Sequence, residues 1–290
     1  MKIGYNEACG LGCSTLEEDL RLTEAAGFDI IEIRYDMLRD YLTTHTIGEL
    51  EEFFATSSVR PGPLNATYIY PEFLSENDDG ARRDALLSEF ITGCTVAQRI
   101  GAPSIVVVPP LQRDPQGGPY VGSVEDTNRE CVRILSQLAD IAADYGVGIS
   151  FEPVGFDRSS VRSIAQASQI VAAVNRPNVG FTIDSYNIFL NGGSNDFSAI
   201  AEMDGSLIHV AHLMNADDVP ESERSQDKRC FPGPGAVDLD AFLTALKESG
   251  FDGIVSVETF RPEYWEKSPE WVVKSAFTTT RDCLEINNCL

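Results

Sequence analysis

The chain has 290 residues, of which 43% are hydrophobic and 23% are charged, and its formal net charge at pH 7 is −23. This composition is ordinary for a globular protein and provides enough apolar residues for a sizeable core. Binding to nucleic acid or to an anionic membrane needs clustered Lys and Arg, which so acidic a chain disfavours. We therefore expect neither a nucleic-acid partner nor a membrane partner.

Targeting signals and cysteine frameworks are not evident in the sequence. Residues 1–15 lack the apolar run of a signal peptide, and no stretch of 18 apolar residues occurs. The seven cysteines are an odd number in a long chain and do not form a dense disulfide framework. These features predict a soluble, cytoplasmic protein.

Short β-rich runs alternate with amphipathic helical patterns along the whole chain, which is typical of βα units around a parallel sheet. The predicted strands lie at 2–6, 29–34, 63–67, 104–109, 148–153, 179–184, 207–212 and 253–258. The predicted helices lie near 15–26, 47–56, 81–100, 123–145, 160–174, 196–203, 238–249 and 268–286. Eight units without a glycine-rich phosphate turn after the first strand favour a closed barrel over a doubly wound sheet. The sequence therefore predicts an α/β protein, a single (β/α)8 TIM barrel domain over residues 1–290.

Several helices carry boundary signals of their own. The segment Ser14–Glu17 has the pattern of a capping box at the start of the first helix. Asp238 is expected to cap the seventh predicted helix, and Gly250 is expected to end it. The Pro/Gly-rich stretches 109–122 and 214–236 follow the fourth and seventh strands, at the end of a barrel that carries functional loops.

Four successive strands end in a polar residue on the face that alternation assigns to the barrel lumen. Glu152, Asp184 and Glu258 end the fifth, sixth and eighth predicted strands, and His212 ends the seventh. Three carboxylates in one lumen repel one another unless they are protonated or bridged by a cation. Three oxygen ligands and one nitrogen ligand suit Mn²⁺, Mg²⁺ or Zn²⁺ and leave positions open for substrate. The sequence therefore predicts one divalent metal ion held by these four residues.

Further polar residues lie at the same end of the predicted barrel. Asn6 ends the first strand, Glu32 and Arg34 share one face of the second, and Asn65 lies in the third. Together they offer hydrogen-bond donors and a positive charge to a polyhydroxylated substrate. We therefore predict that Asn6, Arg34 and Asn65 contact the substrate.

Seven stretches in chain order carry a family resemblance: YNEA at 5–8, IEIR at 31–34, LNA at 64–66, FEPVG at 151–155, NRPNVGFTIDS at 175–185, HLMNADD at 212–218 and the long segment 231–264. They resemble the xylose-isomerase-like superfamily of sugar phosphate isomerases and epimerases, and more closely the inosose isomerases of inositol catabolism. The resemblance implies the same four metal ligands. It also implies that Glu152 and Glu258 flank the substrate and move a proton between adjacent carbons. Arg229, Arg261 and Tyr264 match substrate-side positions of the family.

One position departs from the family pattern. Relatives commonly carry Asp-x-x-His after the sixth strand, whereas this chain has Asp184-Ser185-Tyr186-Asn187. Asparagine donates hydrogen bonds but cannot act as an imidazole acid. The family chemistry is then altered, directed to another substrate, or lost, and Asn187 is a predicted substrate contact.

Several functions are compatible with this predicted site. The leading hypothesis is a metal-dependent isomerase or epimerase of carbohydrate metabolism that acts on a keto-inositol, a ketose or a related polyhydroxy ketone through an enediolate. A dehydratase similar to 3-dehydroshikimate or inosose dehydratases would use the same ion and expel a β-hydroxyl group, and a metal-binding pseudoenzyme would have lost turnover. An endonuclease needs extra histidine ligands and a basic DNA track, which three histidines and a net charge of −23 argue against. The expected partner is a small polyol ketone, and the sequence allows a homo-oligomer.

Overall fold

The computed structural model describes residues 1–75, 77, 80–112 and 118–290, so residues 113–117 of the predicted loop 109–122 lie outside it. The strands are β1 Lys2–Asn6, β2 Ile30–Glu32, β3 Arg60–Pro61, β4 Leu64–Tyr68, β5 Ser104–Val108, β6 Gly148–Phe151, β7 Val179–Asp184, β8 Ile208–His212, β9 Asn215–Ala216, β10 Arg229–Cys230 and β11 Ile254–Val257. The α-helices are α1 Leu16–Ala26, α2 Tyr35–Tyr41, α3 Ile47–Thr56, α4 Gly80–Ile100, α5 Val124–Ala143, α6 Ile164–Val174, α7 Ser185–Leu190, α8 Ser198–Ala201, α9 Leu239–Glu248, α10 Pro262–Trp265 and α11 Pro269–Ile286. None of the helices in these ranges is long and apolar enough to cross a membrane.

Nine parallel strands form one sheet in the order β3-β2-β1-β11-β8-β7-β6-β5-β4. Strands β3 and β4 are two halves of one barrel strand, interrupted at Gly62 and Pro63. The two edges of the sheet meet because Arg34 forms a parallel bridge with Asn65, whose amide donates to the carbonyl of Ile33 at 2.8 Å. The sheet therefore closes into a barrel of eight strands, and the predicted TIM barrel is confirmed.

Each predicted helix has a counterpart in the structure, but three short helices, α2, α7 and α10, were not predicted. They have seven, six and four residues, which is too short for a 3.6-residue apolar pattern to be recognised. They lie just after the barrel strands β2, β7 and β11, at the C-terminal end of the barrel. The missed segments therefore form part of the surface that carries the predicted site.

The predicted capping box of α1 is wrong by one residue. Thr15 is the N-cap: its hydroxyl accepts from the Glu18 amide at 3.3 Å, and the Glu18 carboxylate accepts from the Thr15 amide at 3.2 Å. Ser14 donates instead to Asp19 at 2.7 Å, and so Ser14 and Glu17 do not form the box. Two acceptable cap residues in a row left the sequence pattern ambiguous, and the partly buried hydrogen bond of Ser14 with Asp19 leaves Thr15 as the N-cap.

The predicted boundaries of α9 are confirmed. The Asp238 carboxylate accepts from the amide of Ala241 at 3.0 Å, which satisfies one of the free N–H groups at the helix start. Gly250 follows the helix with a φ of 84°, in the left-handed region that favours glycine.

Alternating side chains divide the barrel strands into two faces. Ile149 and Phe151 of β6 point outward into the main apolar core between barrel and helices. On the inward face, the hydroxyl groups of Ser150 and Thr182 lie 2.7 Å apart in the lumen. A small hydrogen-bonded polar layer therefore fills the barrel below the strand ends.

Gly155, in the loop after β6, lies very close to helix α7. A Cβ atom on Gly155 would overlap the carbonyl oxygen of Asn187 and would lie 2.8 Å from the Cβ of Leu190. A helix backbone cannot move aside as the end of a flexible side chain can. Gly155 therefore sets the distance between this loop and the helix that carries Asn187.

Replacing Gly155 with alanine should lower the free energy of unfolding by about 1–3 kcal/mol, the usual cost of overpacking a tight site. Urea denaturation would measure the change. The matched control is Gly48→Ala in α3, where the nearest atom to a new Cβ is Thr46 Oγ1 at 3.6 Å. Alanine should stabilise that helix position by about 0.5–1 kcal/mol. Unchanged stability in Gly155→Ala would contradict the close approach.

Candidate metal centre

The ends of β6, β7, β8 and β11 bring Glu152, Asp184, His212 and Glu258 together. One ligand atom from each residue lies within 4.8 Å of the others. All four side chains are buried, and none exceeds 5% exposure. The strand register explains the meeting, because Asp184 is paired with His212 in the parallel ladder and His212 with Ser256. The structure thus contains the grouping that alternation predicts.

The Nδ1 atom of His212 faces the three carboxylates. It lies 3.7 Å from Glu152 Oε1, 3.9 Å from Asp184 Oδ2 and 3.5 Å from Glu258 Oε2. Among the described residues, this buried nitrogen has no hydrogen-bond partner. These separations suit atoms that each lie about 2.0–2.2 Å from one shared cation. The donor set and the unpartnered nitrogen therefore fit a divalent metal ion.

The other ring nitrogen of His212 is held by Glu32. His212 Nε2 lies 3.2 Å from Glu32 Oε2, and Asn65 Nδ2 donates to the same oxygen at 3.0 Å. A proton on Nε2 directs the lone pair of Nδ1 toward the cluster, and a carboxylate partner commonly fixes a histidine ligand in this way. Sequence reasoning gave Glu32 no such role. The available signal was its inward position at the end of β2, paired with Asn6 of β1.

Burial and neighbouring charge shift the protonation of the cluster. Burial alone would lower the pKa of His212, but the Glu32 and Glu258 carboxylates raise this pKa well above its usual value. Burial raises the pKa of Glu258 to about 7, although the positive charges of His212 and Arg229 oppose the shift. Protons and a divalent cation therefore compete for the same lone pairs.

Arg229 is a buried cation beside two of the predicted ligands. Its Nη1 donates to Asp184 Oδ2 at 2.7 Å and to Glu258 Oε2 at 2.9 Å. Its guanidinium carbon lies 5.5 Å from the ring centroids of Tyr186 and Phe260. The family resemblance implies that Arg229 contacts the substrate. In the structure, Arg229 also offsets the negative charge of Asp184 and Glu258.

Two asparagines each hold one glutamate of the cluster. Asn6 Nδ2 donates to Glu258 Oε1 and Asn187 Nδ2 donates to Glu152 Oε1, both at 3.1 Å. The backbone N–H of Asn187 also donates to Asp184 Oδ1 at 2.7 Å, and Asp184 thereby caps the start of α7. Asn187 lines the cavity described next and, among the described residues, its Oδ1 has no partner. Asn6 therefore positions the predicted metal ligand Glu258. Asn187 positions the predicted metal ligand Glu152 and also faces the cavity.

A cavity of about 150 Å³, called the inner cavity below, lies against the cluster. It is smaller than the roughly 300–1,000 Å³ pockets of drug-sized ligands, and so it suits a single ring or a short chain. A larger open groove of about 720 Å³ between α6 and α8 contains none of the predicted site residues. The walls of the inner cavity combine polar and aromatic side chains: Arg34, Asn65, Tyr68, Val108, Leu111, Glu152, Val154, Arg158, Asn187, Gln226, Arg229, Glu258 and Phe260.

Three predicted substrate contacts lie outside these walls: Asn6, Arg261 and Tyr264. Arg261 Nη1 donates to Asp217 Oδ1 at 3.0 Å. The Tyr264 ring stacks on Phe231 with centroids 4.2 Å apart, and its hydroxyl accepts from the Phe231 amide at 3.3 Å. Contact with a substrate would require a ligand that extends beyond the inner cavity.

Purified protein should carry about one divalent ion per chain, and Asp184→Ala or His212→Ala should lose it. Each substitution removes a ligand from a set of four, and the loss of a bound ion should lower the melting temperature as well. Elemental analysis by mass spectrometry would count the metal. His209→Ala is the matched control, because His209 lies on the same strand but is not in the cluster. Full metal content in the Asp184→Ala, His212→Ala double variant would contradict the assignment.

Comparison with known proteins gives matches over nearly the whole chain. The sequence profile described as Xylose isomerase-like TIM barrel matches residues 20–275. An inosose isomerase of Bacillus velezensis is 37% identical over 281 residues, which cover 97% of this chain and 96% of that protein. A 3-dehydroshikimate dehydratase of Pseudomonas aeruginosa is 28% identical over 251 residues, which cover 85% of this chain and 36% of that protein.

A solved structure gives the same relationship. The crystal structure of the IOLI protein with a bound zinc atom matches with a TM-score of 0.89 and 36% identity, over 99% of both chains. The expectation of an isomerase or epimerase is confirmed by the curated relatives. The zinc atom of the IOLI protein and the buried cluster of this chain agree in indicating a divalent metal site. The chain therefore belongs to the xylose isomerase-like TIM barrel family.

Proposed function

We propose that the protein is a divalent-metal-dependent isomerase or epimerase that acts on a keto-inositol, a ketose or a related polyhydroxy ketone. The observation that carries the proposal is the pair of glutamates on the inner cavity. Glu152 follows β6 and Glu258 follows β11, and so they approach one small space from two sides of the barrel. The names of the inosose isomerase relatives support the same class of substrate.

Glu152, Asp184, His212 and Glu258 would hold the ion. When bound, a divalent ion polarises the oxygen atoms of a hydroxyketone and stabilises negative charge that develops on them. Zinc has the support of the IOLI structure, and manganese or magnesium is compatible with a set of three carboxylates and one imidazole.

The two glutamates supply the proton transfer. One carboxylate removes a proton from the carbon next to the substrate carbonyl, which leaves an enediolate. A carboxyl group then returns a proton, to the adjacent carbon in an isomerase or to the opposite face of the same carbon in an epimerase. Asn6 and Asn187 each engage Oε1 of one glutamate, and Arg229 engages Oε2 of Glu258. This arrangement orients both bases before the substrate binds.

The walls of the inner cavity suit a compact polyol. Arg34 and Asn187 present hydrogen-bond donors, whereas Tyr68, Val108 and Phe260 present apolar surfaces. Arg34 is itself fixed, since its Nε and Nη2 atoms bind the Asp36 carboxylate at 3.0 and 2.8 Å. A ring with hydroxyl groups at its rim and apolar faces would complement this mixture.

A dehydratase is the second candidate, because a 3-dehydroshikimate dehydratase aligns with 85% of the chain. Expulsion of a β-hydroxyl group calls for an acid at the leaving oxygen. The only carboxylic acids among the described cavity walls are Glu152 and Glu258. This shortage favours isomerisation, and a product lighter by one water would favour the dehydratase instead.

Glu152→Gln and Glu258→Gln should each keep measurable metal but lose turnover by at least about a hundredfold, the scale of general acid–base catalysis. Glutamine preserves size and one oxygen ligand but removes basicity. Solvent-deuterium incorporation into a panel of keto-inositols and ketoses, followed by mass spectrometry, would measure proton abstraction directly.

The control for this experiment is Glu51→Gln, a surface glutamate whose side chain binds Arg99. This variant should exchange at the wild-type rate. If both cluster variants also exchange at that rate, the enediolate mechanism is wrong. If the wild-type protein exchanges no ketone in the panel, a pseudoenzyme becomes the better account.

Asn187→Ala should lower turnover by about tenfold while metal content stays unchanged, because a hydrogen bond to the Glu152 side chain is lost. Steady-state kinetics with metal analysis would separate the two effects. Asn191→Ala, an exposed position just after α7, is the matched control. Equal kcat/KM for Asn187→Ala and the wild type would show that Asn187 has no part in the reaction.

A further inference from the structure

Three arginines line the inner cavity, and one of them, Arg158, has no acidic partner among the described residues. Arg34 is held by Asp36, and Arg229 is held by two carboxylates of the metal cluster. Arg158 has no carboxylate oxygen within 4.0 Å among the described residues. The chain has 45 acidic and 22 basic residues, and so acidic partners for an arginine are abundant. An arginine at the site without such a partner is therefore unexpected.

The contacts that Arg158 does make are weak. Its Nη1 donates to the Gln112 carbonyl at 3.5 Å, and its guanidinium carbon lies 5.6 Å from the centroid of the Phe156 ring. A guanidinium carries five N–H donors, and one of those of Arg158 has a partner among the described residues. The half-buried side chain therefore presents a charge and an unused donor fork at the cavity wall.

Arg158 lies where the inner cavity meets two outer ones. It also lines a cavity of about 690 Å³ with Arg162 and Arg224, and another of about 300 Å³ with Tyr68 and Tyr70. Glu152 and Glu258 of the predicted metal cluster line the inner cavity but neither of the outer ones. A substrate whose reacting carbons face the cluster would therefore direct its far end toward Arg158.

The outer cavity of about 690 Å³ is not an anion site by itself, because acidic residues share its wall with the arginines. These residues are Asp157, Glu221 and Asp227. Among the described wall residues of the inner cavity, by contrast, the acidic ones are Glu152 and Glu258, and both belong to the predicted metal cluster. Within the described part of the chain, Arg158 is therefore the cavity arginine whose charge no carboxylate offsets.

We propose that Arg158 binds a carboxylate or phosphate group on the end of the substrate that points away from the metal cluster. The substrate is then an anionic polyhydroxy ketone, a conclusion that rests on the proposed function for the ketone. A neutral polyol needs no unpaired guanidinium, whereas carboxylate and phosphate form paired, charge-assisted hydrogen bonds with its fork.

Isothermal titration of three cyclic polyols into the metal-loaded protein tests this subsite. The probes are myo-inositol, which is neutral, quinate, which carries a carboxylate, and myo-inositol 1-phosphate. One of the two anions should bind at least about tenfold more tightly than myo-inositol, the effect of one or two charged hydrogen bonds. The preferred probe identifies the anionic group as a carboxylate or a phosphate.

Arg158→Gln should remove this preference, with a loss of about tenfold or more in affinity for the preferred anion and no change for myo-inositol. Arg158→Lys, which keeps the charge but not the fork, should retain part of the preference. Arg224→Gln is the matched control, because Arg224 lines the outer cavity and not the inner one, and it should leave all three affinities unchanged.

Equal binding of all three probes, or no detectable binding of either anion, would overturn the proposal, as would full anion preference in Arg158→Gln. The wild-type comparison decides the point even if a variant does not fold.

Binding is measured without turnover, and so the proposed reaction and the proposed Arg158 subsite can fail separately. Deuterium exchange on a neutral keto-inositol without any anion preference would support the reaction and contradict the subsite. Arg158-dependent anion binding without exchange on any ketone would support the subsite and contradict the reaction.

Discussion

Three carboxylates in one buried space repel one another, and the polar contacts of the site are arranged around that repulsion. The barrel register places Asp184 and His212 side by side, with Glu152 and Glu258 following the neighbouring strands. Arg229 offsets part of the negative charge, and a divalent ion among the four ligands would offset most of the rest. The fold together with the choice of residues at four strand ends therefore favours a divalent metal site.

The sequence predicts the parts of the site that depend on local periodicity. Strict alternation along single strands was enough to group the four ligands, since the C-terminal ends of parallel strands meet. The role of Glu32 was not predictable in this way. Its contact with His212 joins β2 to β8, which are not neighbours in the sheet, and it exists only because the barrel closes. Arg158 lies on a loop, where no periodicity indicates the direction of a side chain.

In the proposed function, the residues that would fix the reaction type lie on different elements from those that would select the substrate. The predicted ligands and their supporting asparagines belong to strand ends and to the first turn of α7. Leu111, Arg158 and Gln226, which also line the inner cavity, lie outside the barrel strands and the α-helices. Family members can therefore share ion chemistry and still differ in the molecules that they accept.

The four predicted ligands come from four separate βα units, and this has a consequence for how a metal-binding protein would mature. Each of these units supplies one of the four. Strand β11, which carries Val257 next to Glu258, lies between β1 and β8 in the finished sheet. A folding intermediate in which β11 is unpaired would lack one ligand and the geometry of the others. Stable capture of the proposed ion would therefore be a late event, and a tightly held metal would mark a molecule whose barrel has closed.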